Sequence, residues 1–166
     1  MDSCMSCSGL CCRNYFVPLT CSDLRRLVSA GHEPSDFLDW IPVGSLDSTY
    51  PDVRLSDGYY YMVLGRRGDG ACVFSVGCDG SLRCGVHGSH PIVCRLYPFD
   101  ELSGGFKRKA ACAVRREPDF DVPGLGAQRR LEWGEYSSKV RAWNGRRVEA
   151  RGREDFVRYV LSDNPP

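Results

Sequence analysis

The spacing of apolar residues first predicts a short helix near residue 25. Leu24, Leu27 and Val28 recur at intervals that place them on one face of a helix. They follow residues 20–23, Thr-Cys-Ser-Asp, which resemble the capping box found at helix starts. We therefore predict a helix over residues 22–30, with this apolar face packed against the core.

A second short helix is predicted to begin at Pro34, because proline is favoured in the first turn of a helix. Phe37, Leu38 and Ile41 follow at apolar spacing compatible with a helix, and Pro42 would end it. We expect this element to contribute packing rather than chemistry.

Two segments with the composition of β-strands follow these helices in the sequence. Residues 59–64 are apolar and aromatic, and they lie between Asp-Gly at 57–58 and a glycine-rich turn at 65–70. Residues 71–76 form another extended run. We predict a small antiparallel β unit that leads directly into Cys72.

The middle of the chain loses this periodicity. Residues 77–98 are rich in Gly, His, Pro and Cys, a composition typical of backbone organised by metal ligands. A strand over 106–114 is predicted to carry Cys112, and helices are predicted near 128–143 and 153–161.

These elements predict an α+β fold class: a small single domain with short antiparallel β elements, several helices and a metal-organised cysteine-rich loop region. No repeat or low-complexity linker divides residues 1–166, so we expect one domain. Its metal-binding core would span about 4–114, and its C-terminal helical segment about 126–162.

The cysteine content is higher than the fold alone requires. A chain of 166 residues can bury a moderate apolar core without covalent staples, so its ten cysteines need another explanation. The first seven residues are polar and already carry a cysteine pair, unlike the apolar core of a signal peptide. We expect a reducing, cytoplasmic setting in which thiols stay free to bind metal.

Charge and hydropathy indicate which classes of binding partner to expect. Twenty-two Lys and Arg balance twenty-one Asp and Glu, so nucleic acid is not an expected partner. Residues 127–166 are only mildly basic, which is typical of solvated helix faces. The longest apolar runs, such as 59–64, are too short to cross a bilayer, so we expect no membrane association.

Four cysteines near the N-terminus, Cys4, Cys7, Cys11 and Cys12, form the pattern CxxCxxxCC. Two cysteines separated by two residues can direct both sulfurs to one centre across a tight turn. Adjacent side chains in extended backbone diverge, so Cys11 and Cys12 could serve different centres, although a turn could bring both to one.

Later cysteines form a second constellation. Cys72 lies in the segment Gly-Ala-Cys-Val-Phe at 70–74, and Cys84 follows it. The segment 90–99, His-Pro-Ile-Val-Cys-Arg-Leu-Tyr-Pro-Phe, carries a further cysteine, and Cys112 comes last.

Together the two constellations resemble the YkgJ-type cysteine-cluster family, whose domains are described as zinc- or iron-chelating. That family pairs an N-terminal CxxCxxxCC with a later GxCxF, a further cysteine, an (R/H)PxxCRxYPF segment and a final cysteine. The resemblance spans about residues 4–114. It implies that eight cysteines bind metal: Cys4, Cys7, Cys11, Cys12, Cys72, Cys84, Cys94 and Cys112.

The same segment supplies candidates for residues around the ligands. Arg95 could hydrogen-bond a cluster sulfide or thiolate, or form only a surface salt bridge. His90, where the family usually has arginine, could be a ligand, a hydrogen-bond donor or a loop residue, and Tyr97 could cover the site. Cys21 and Cys78 match no family cysteine: we expect Cys21 to be a small buried side chain, and Cys78 could be ligand or bystander.

Thiolate ligands suit zinc, copper(I) or iron-sulfur centres, and their spacing does not separate these metals. Eight cysteines divide into two four-ligand sites, but one cluster with additional cysteines also fits. The resemblance favours iron, because the family is associated with iron-sulfur binding, including in the related domain of flagellin lysine methylases. We therefore favour one or two [4Fe-4S] clusters, with Zn²⁺ as the alternative.

Three functions fit this chemistry. The first is an iron-sulfur protein for electron transfer, redox sensing or cluster delivery to a protein partner. The second is a zinc-stabilised interaction module. The third is a protein-modifying enzyme related to methyltransferases, although the sequence shows no nucleotide-binding glycine loop and no Ser-His-Asp arrangement. The catalytic residues of such an enzyme are unknown.

Overall fold

The structure is a computed structural model that describes residues 9–45, 49–78, 81–102, 105–108, 121–146 and 152–162. For residues 10, 11, 78, 81, 100–102 and 105–108 the description covers the backbone alone. Its helices and strands, in chain order, are α1 Leu10–Asn14, α2 Cys21–Ser29, α3 Pro34–Phe37, β1 Leu38–Pro42, β2 Val53–Leu55, β3 Gly58–Leu64, β4 Ser75–Cys78, β5 Ser81–Cys84, α4 Ile92–Leu96, β6 Phe99–Leu102, β7 Gly105–Arg108, α5 Val122–Asn144 and α6 Arg153–Leu161.

The strands form three small antiparallel sheets in the described ranges. The largest has the order β1-β3-β2, with Trp40 opposite Met62 and Val53 opposite Tyr60. β4 and β5 form one hairpin, and β6 and β7 form another. The predicted α+β class with short antiparallel elements is confirmed.

Helix α2 follows the sequence prediction closely, since it begins one residue earlier and ends one residue earlier than predicted. Thr20 is its N-cap: the Asp23 amide donates to Thr20 Oγ1 at 3.1 Å, and the Thr20 amide donates to Asp23 Oδ2 at 2.8 Å. This reciprocal pairing is the predicted capping box. Leu24 and Leu27 are fully buried, so the predicted apolar face packs in the core.

The helix predicted from Pro34 to about Pro42 is half wrong. It ends at Phe37, and residues 38–42 form strand β1. Apolar residues at 37, 38 and 41 suit either a helix or a strand, so local spacing does not decide between them. All five residues of β1 pair with β3, from Leu38 opposite Leu64 to Pro42 opposite Tyr60, and this pairing decides for the strand because it satisfies the backbone groups along that edge of β3.

The prediction of an extended run over residues 71–76 is also partly wrong. Residues 71–74 do not pair with β3; Cys72 makes an isolated bridge with Arg66, and the chain turns so that the Ser75 amide donates to the Cys72 carbonyl at 2.9 Å. The segment 77–98, predicted as an irregular loop, contains β5 and α4. Of the predicted strand over 106–114, residues 106–108 lie in β7 and the rest lie outside the described residues.

The C-terminal helices α5 and α6 pack on the sheet and on α2. The α5 prediction began six residues late, because Pro123 and two glycines obscure its first turn, where Asp121 caps Gly124 at 3.0 Å. The predicted bounds of α6 are confirmed. No helix within the described ranges is both long enough and apolar enough to span a membrane.

Helix α6 completes the core through an aromatic cluster. Phe156 is fully buried, and its ring meets Trp40 and Trp143 edge-on with centroids 5.9 and 5.3 Å apart. Trp143 also donates from its indole nitrogen to the Arg54 carbonyl at 2.8 Å. These contacts anchor both C-terminal helices to the three-stranded sheet.

A polar contact ties α2 to α5. Arg26 donates from both guanidinium nitrogens to the Glu132 carboxylate, at 2.6 and 2.9 Å. Burial alone would raise the pKa of Glu132, but the hydrogen bonds from Arg26 and Gln128 hold it below its ordinary value of 4.5. The neighbouring pair of Arg25 and Glu135, at 2.6 Å, is more exposed.

Phe156→Ala should lower the free energy of unfolding by about 3–5 kcal/mol, because truncating a buried phenylalanine removes apolar burial and leaves a cavity. Leu131→Ala, at a 76% exposed position of α5, is the control and should change it by less than about 0.5 kcal/mol. Denaturant unfolding of both variants measures the difference. Equal losses would contradict the placement of α6 in the core.

Glu132→Gln should lower the free energy of unfolding by about 2 kcal/mol at pH 7, because it weakens charged hydrogen bonds with Arg26. Since folding lowers the pKa of Glu132, its ionised form stabilises the protein above pH 4.5, and this contribution is lost as the pH falls through the folded-state pKa. The difference between wild type and variant should therefore shrink below pH 4.5 in a pH series of denaturant titrations.

Glu135→Gln is the matched control on the same helix. Its partner Arg25 and its own side chain are each about one third exposed, so the loss at pH 7 should be under about 1 kcal/mol. A Glu132→Gln deficit that stayed constant down to pH 2 would show that the ionised carboxylate does not stabilise the fold.

Candidate metal site

Four of the predicted cysteine ligands line one cavity of about 190 Å³. Cys12 lies on α1, Cys72 between β3 and β4, Cys84 at the end of β5, and Cys94 on α4. The cavity therefore collects thiols from four segments that are distant in the sequence.

Backbone contacts hold the first two segments together. The Cys72 amide donates to the Cys12 carbonyl at 2.8 Å. The Arg66 guanidinium donates to the carbonyls of Arg13 and Gly70, each at 2.5 Å, and also to that of Tyr15. Arg66 thus fastens the N-terminal cysteine segment to the loop that carries Cys72.

The β4–β5 hairpin brings Cys84 to the same place. Its register sets Cys84 opposite Ser75, and the Ser75 amide and hydroxyl both donate to the Cys72 carbonyl, at 2.9 and 2.7 Å. The Gly85 amide donates to the Phe74 carbonyl at 2.8 Å and extends the pairing of the two strands beyond Ser75 and Cys84. A tight turn and a two-stranded ladder therefore position two thiols that lie twelve residues apart.

Helix α4 supplies Cys94. Ile92 and Leu96, one helical turn apart, are buried and anchor the helix, and Cys94 lies between them and lines the cavity. The Ile92 amide donates to the buried Asp23 carboxylate on α2 at 2.8 Å. The start of α4 is thereby fixed to a different helix.

Burial raises the pKa of Cys72, Cys84 and Cys94, and neighbouring thiolates raise each of them further. For Cys94 the contributing neighbours are Cys72, Cys84, Asp23 and Cys12. The thiols are therefore close enough to repel one another electrostatically when ionised. A bound cation relieves this repulsion, which is why crowded thiolates favour metal.

Aromatic and apolar groups make up much of the remaining wall. The rings of Tyr15 and Tyr97 lie 5.8 Å apart, and both line the cavity together with Phe74. His87 and His90 also line it, with ring centroids 4.9 Å apart. Burial, with the nearby His87 ring, lowers the pKa of His90 to about 4, so its imidazole is neutral at pH 7.

The other predicted site residues fall in different places. Cys4, Cys7 and Cys112 lie outside the described residues, and Cys11 is described as backbone on α1. Arg95 lies on α4 but is not among the described residues that line the cavity. In the ranges that the structure covers, no three His, Cys, Asp or Glu side chains form a group that could hold a metal ion as placed.

The two cysteines without a family counterpart differ from each other. Cys21 is fully buried at the start of α2 and belongs to the apolar core, where burial raises its pKa to about 12. It does not line the cavity, in keeping with its prediction as a small buried side chain. The Cys78 backbone ends β4 opposite Ser81.

Three functional candidates were missed by reasoning from the sequence: Asp23, Arg66 and Arg129. Asp23 was recognised as part of a capping box, but nothing local indicated its contact with α4. Arg66 lies in an ordinary glycine-rich turn, and Arg129 reaches the cavity from α5. Only long-range packing brings these side chains to the cysteines.

The fold and this cavity define a small α+β protein with four cysteines on the wall of one cavity. Residues 3–113 match the CxxCxxCC family, described as "Putative zinc- or iron-chelating domain". The match covers about two thirds of the chain, so the chain belongs to this family, as the resemblance predicted. No curated protein and no solved structure matches it.

Cys94→Ala should reduce metal retention at least roughly tenfold, because it removes a thiolate from the cavity wall. Cys21→Ala is the matched control, since Cys21 is buried away from the cavity, and its metal content should equal that of wild type. Elemental analysis after anaerobic purification and dialysis checks both variants. Equal metal contents in the two variants would contradict the assignment of Cys94 to the site.

Proposed function

We propose that this protein binds an iron-sulfur cluster of the [4Fe-4S] type and acts in electron transfer, redox sensing or cluster delivery. The observation that carries the proposal is the convergence of Cys12, Cys72, Cys84 and Cys94 on one cavity. Four thiolates are the donor set of such clusters. Cys4, Cys7, Cys11 and Cys112 are proposed as further ligands, for the same or a second centre.

The size of the cavity supports a centre of several atoms. Four thiolates around one zinc ion lie about 3.8 Å from each other, because the zinc–sulfur distance is only about 2.3 Å. A cavity of about 190 Å³, walled by thiols from four segments, has room for a larger inorganic core. An iron-sulfur cluster, whose core contains several iron and sulfur atoms, is such a core.

The surrounding residues suit a negatively charged centre with restricted access to water. The aromatic side chains of Tyr15, Phe74 and Tyr97 cover part of the wall with apolar surface, which limits contact with water. Arg66 and Arg129 contribute positive charge that offsets the charge of thiolates. A bound cluster supplies one-electron redox chemistry, and these residues set its dielectric surroundings and its exposure.

Such a role implies a partner and a compartment. Electron transfer and cluster delivery both require another molecule, which we propose is a protein. Thiol ligands persist in reduced form in a cytoplasmic environment, which we propose for this chain.

A second candidate is a zinc-stabilised interaction module. It is favoured by the shortness of the elements that carry the thiols, since α1 and α4 have five residues each and β5 has four. Elements of this length are marginal without external support, and a structural metal supplies it. Zinc would be redox-silent in this role.

Metal and acid-labile sulfide analysis, with a visible spectrum, separates the two candidates on protein purified without oxygen. An iron-sulfur protein should contain about four irons and four sulfides per cluster and absorb near 400 nm. Colourless protein with one or two zinc ions would overturn the iron-sulfur proposal and support the interaction module.

Two variants sharpen this experiment. Cys84→Ala should lose the chromophore, because Cys84 lines the cavity, while Cys21→Ala should keep it. A chromophore that survives Cys84→Ala unchanged would place the cluster away from the described cavity.

A further inference from the structure

The start of helix α4 depends on a side chain from another helix. The first amides of any helix lack partners within it, and in a helix of only five residues they are most of the amides. Pro91, its N-cap residue, provides no side-chain cap. Instead the Ile92 amide donates at 2.8 Å to Oδ1 of Asp23, whose side chain is fully buried.

The same carboxylate caps two helices. Asp23 Oδ2 accepts from the amide and the hydroxyl of Thr20, at 2.8 and 2.9 Å, which closes the capping box of α2. Its other oxygen accepts from Ile92 on α4 and from the Arg26 guanidinium. Asp23 therefore fixes the two helix starts relative to each other.

The charge of this buried carboxylate is balanced within the protein. A buried carboxylate is unfavourable unless it is paired and hydrogen-bonded. Arg26 pairs with Asp23 and, at 2.6 Å, with Glu132 of α5. Glu132 lies beyond residues 3–113, so the network connects α4 to a helix outside the matched family segment.

We propose that Asp23 is a positioning residue for the metal site, acting through helix α4 on Cys94. Cys94 lies two residues after Ile92, and the amides of Cys94 and Arg95 both donate to the Pro91 carbonyl, at 2.9 and 3.0 Å. Loss of the Asp23 contact would loosen this single turn and displace the thiol. The inference rests on the proposed binding of metal by Cys94, whichever metal it is.

Asp23→Asn tests the proposal, because it removes the charge and cannot provide acceptors for both helices. Thr20→Val is the matched control: it removes the hydroxyl from the capping box of α2, and with it one hydrogen bond to Asp23 Oδ2, but keeps Asp23 Oδ1, which accepts from the Ile92 amide. The readouts are the rate at which bound iron or zinc passes to EDTA without oxygen, and hydrogen exchange at the Ile92 amide.

In Asp23→Asn, metal release and Ile92 exchange should both be at least roughly tenfold faster than in wild type. In Thr20→Val both should change by less than about threefold, although α2 loses part of its cap. Equal rates in the two variants would overturn the proposal, because they would reduce Asp23 to a stabiliser of α2. Wild-type protein that retains neither metal would overturn the proposed function as well.

A measurement on wild type covers the case in which Asp23→Asn does not fold. Coupling between two sites is reciprocal, so removing the metal should weaken the Asp23–Ile92 contact. EDTA treatment should accelerate exchange at Ile92 at least roughly tenfold while changing the amides of Leu24 and Leu27 less. Unchanged exchange at Ile92 would overturn the positioning role while leaving metal binding intact.

Discussion

The placement of four cysteine thiols on the wall of one partly buried cavity is the constraint on which the rest of this structure depends. Burial and mutual repulsion both raise the pKa of Cys72, Cys84 and Cys94, so ionised thiolates are unfavourable there without a counter-charge. A bound metal ion would provide that counter-charge, and the family to which the chain belongs is described as zinc- or iron-chelating. The segments around the cavity keep all four thiols on its wall despite this repulsion.

The scaffold meets the constraint with short elements tied together by backbone contacts. Arg66 donates to three carbonyls on two segments, and the β4–β5 hairpin aligns Cys84 with the turn after Cys72. Asp23 anchors the helix that carries Cys94. None of these elements is long enough to be stable alone, so the segments that carry the cysteines depend on contacts with the larger helices and sheet.

The C-terminal helices are part of this arrangement although the family match ends at residue 113. Helix α5 contributes Arg129 to the cavity wall and Glu132 to the Arg26–Asp23 network. Helix α6 locks α5 in place through Phe156. The two helices that follow the family segment therefore contribute to the cavity wall and to the packing around it. They link the geometry of the cavity to the stability of the whole core.

The sequence alone determined the chemistry: the cysteine spacing predicted the family, and local signals predicted α2, β3 and α6 because capping and apolar periodicity act over a few residues. It did not determine β1, whose apolar spacing also suits a helix and whose pairing with β3 decides the outcome. Only the tertiary structure decided that Cys12, Cys72, Cys84 and Cys94 share a cavity, and that Asp23 caps two helices. Such contacts join residues far apart in the chain, and they depend on how complete elements pack rather than on any local pattern.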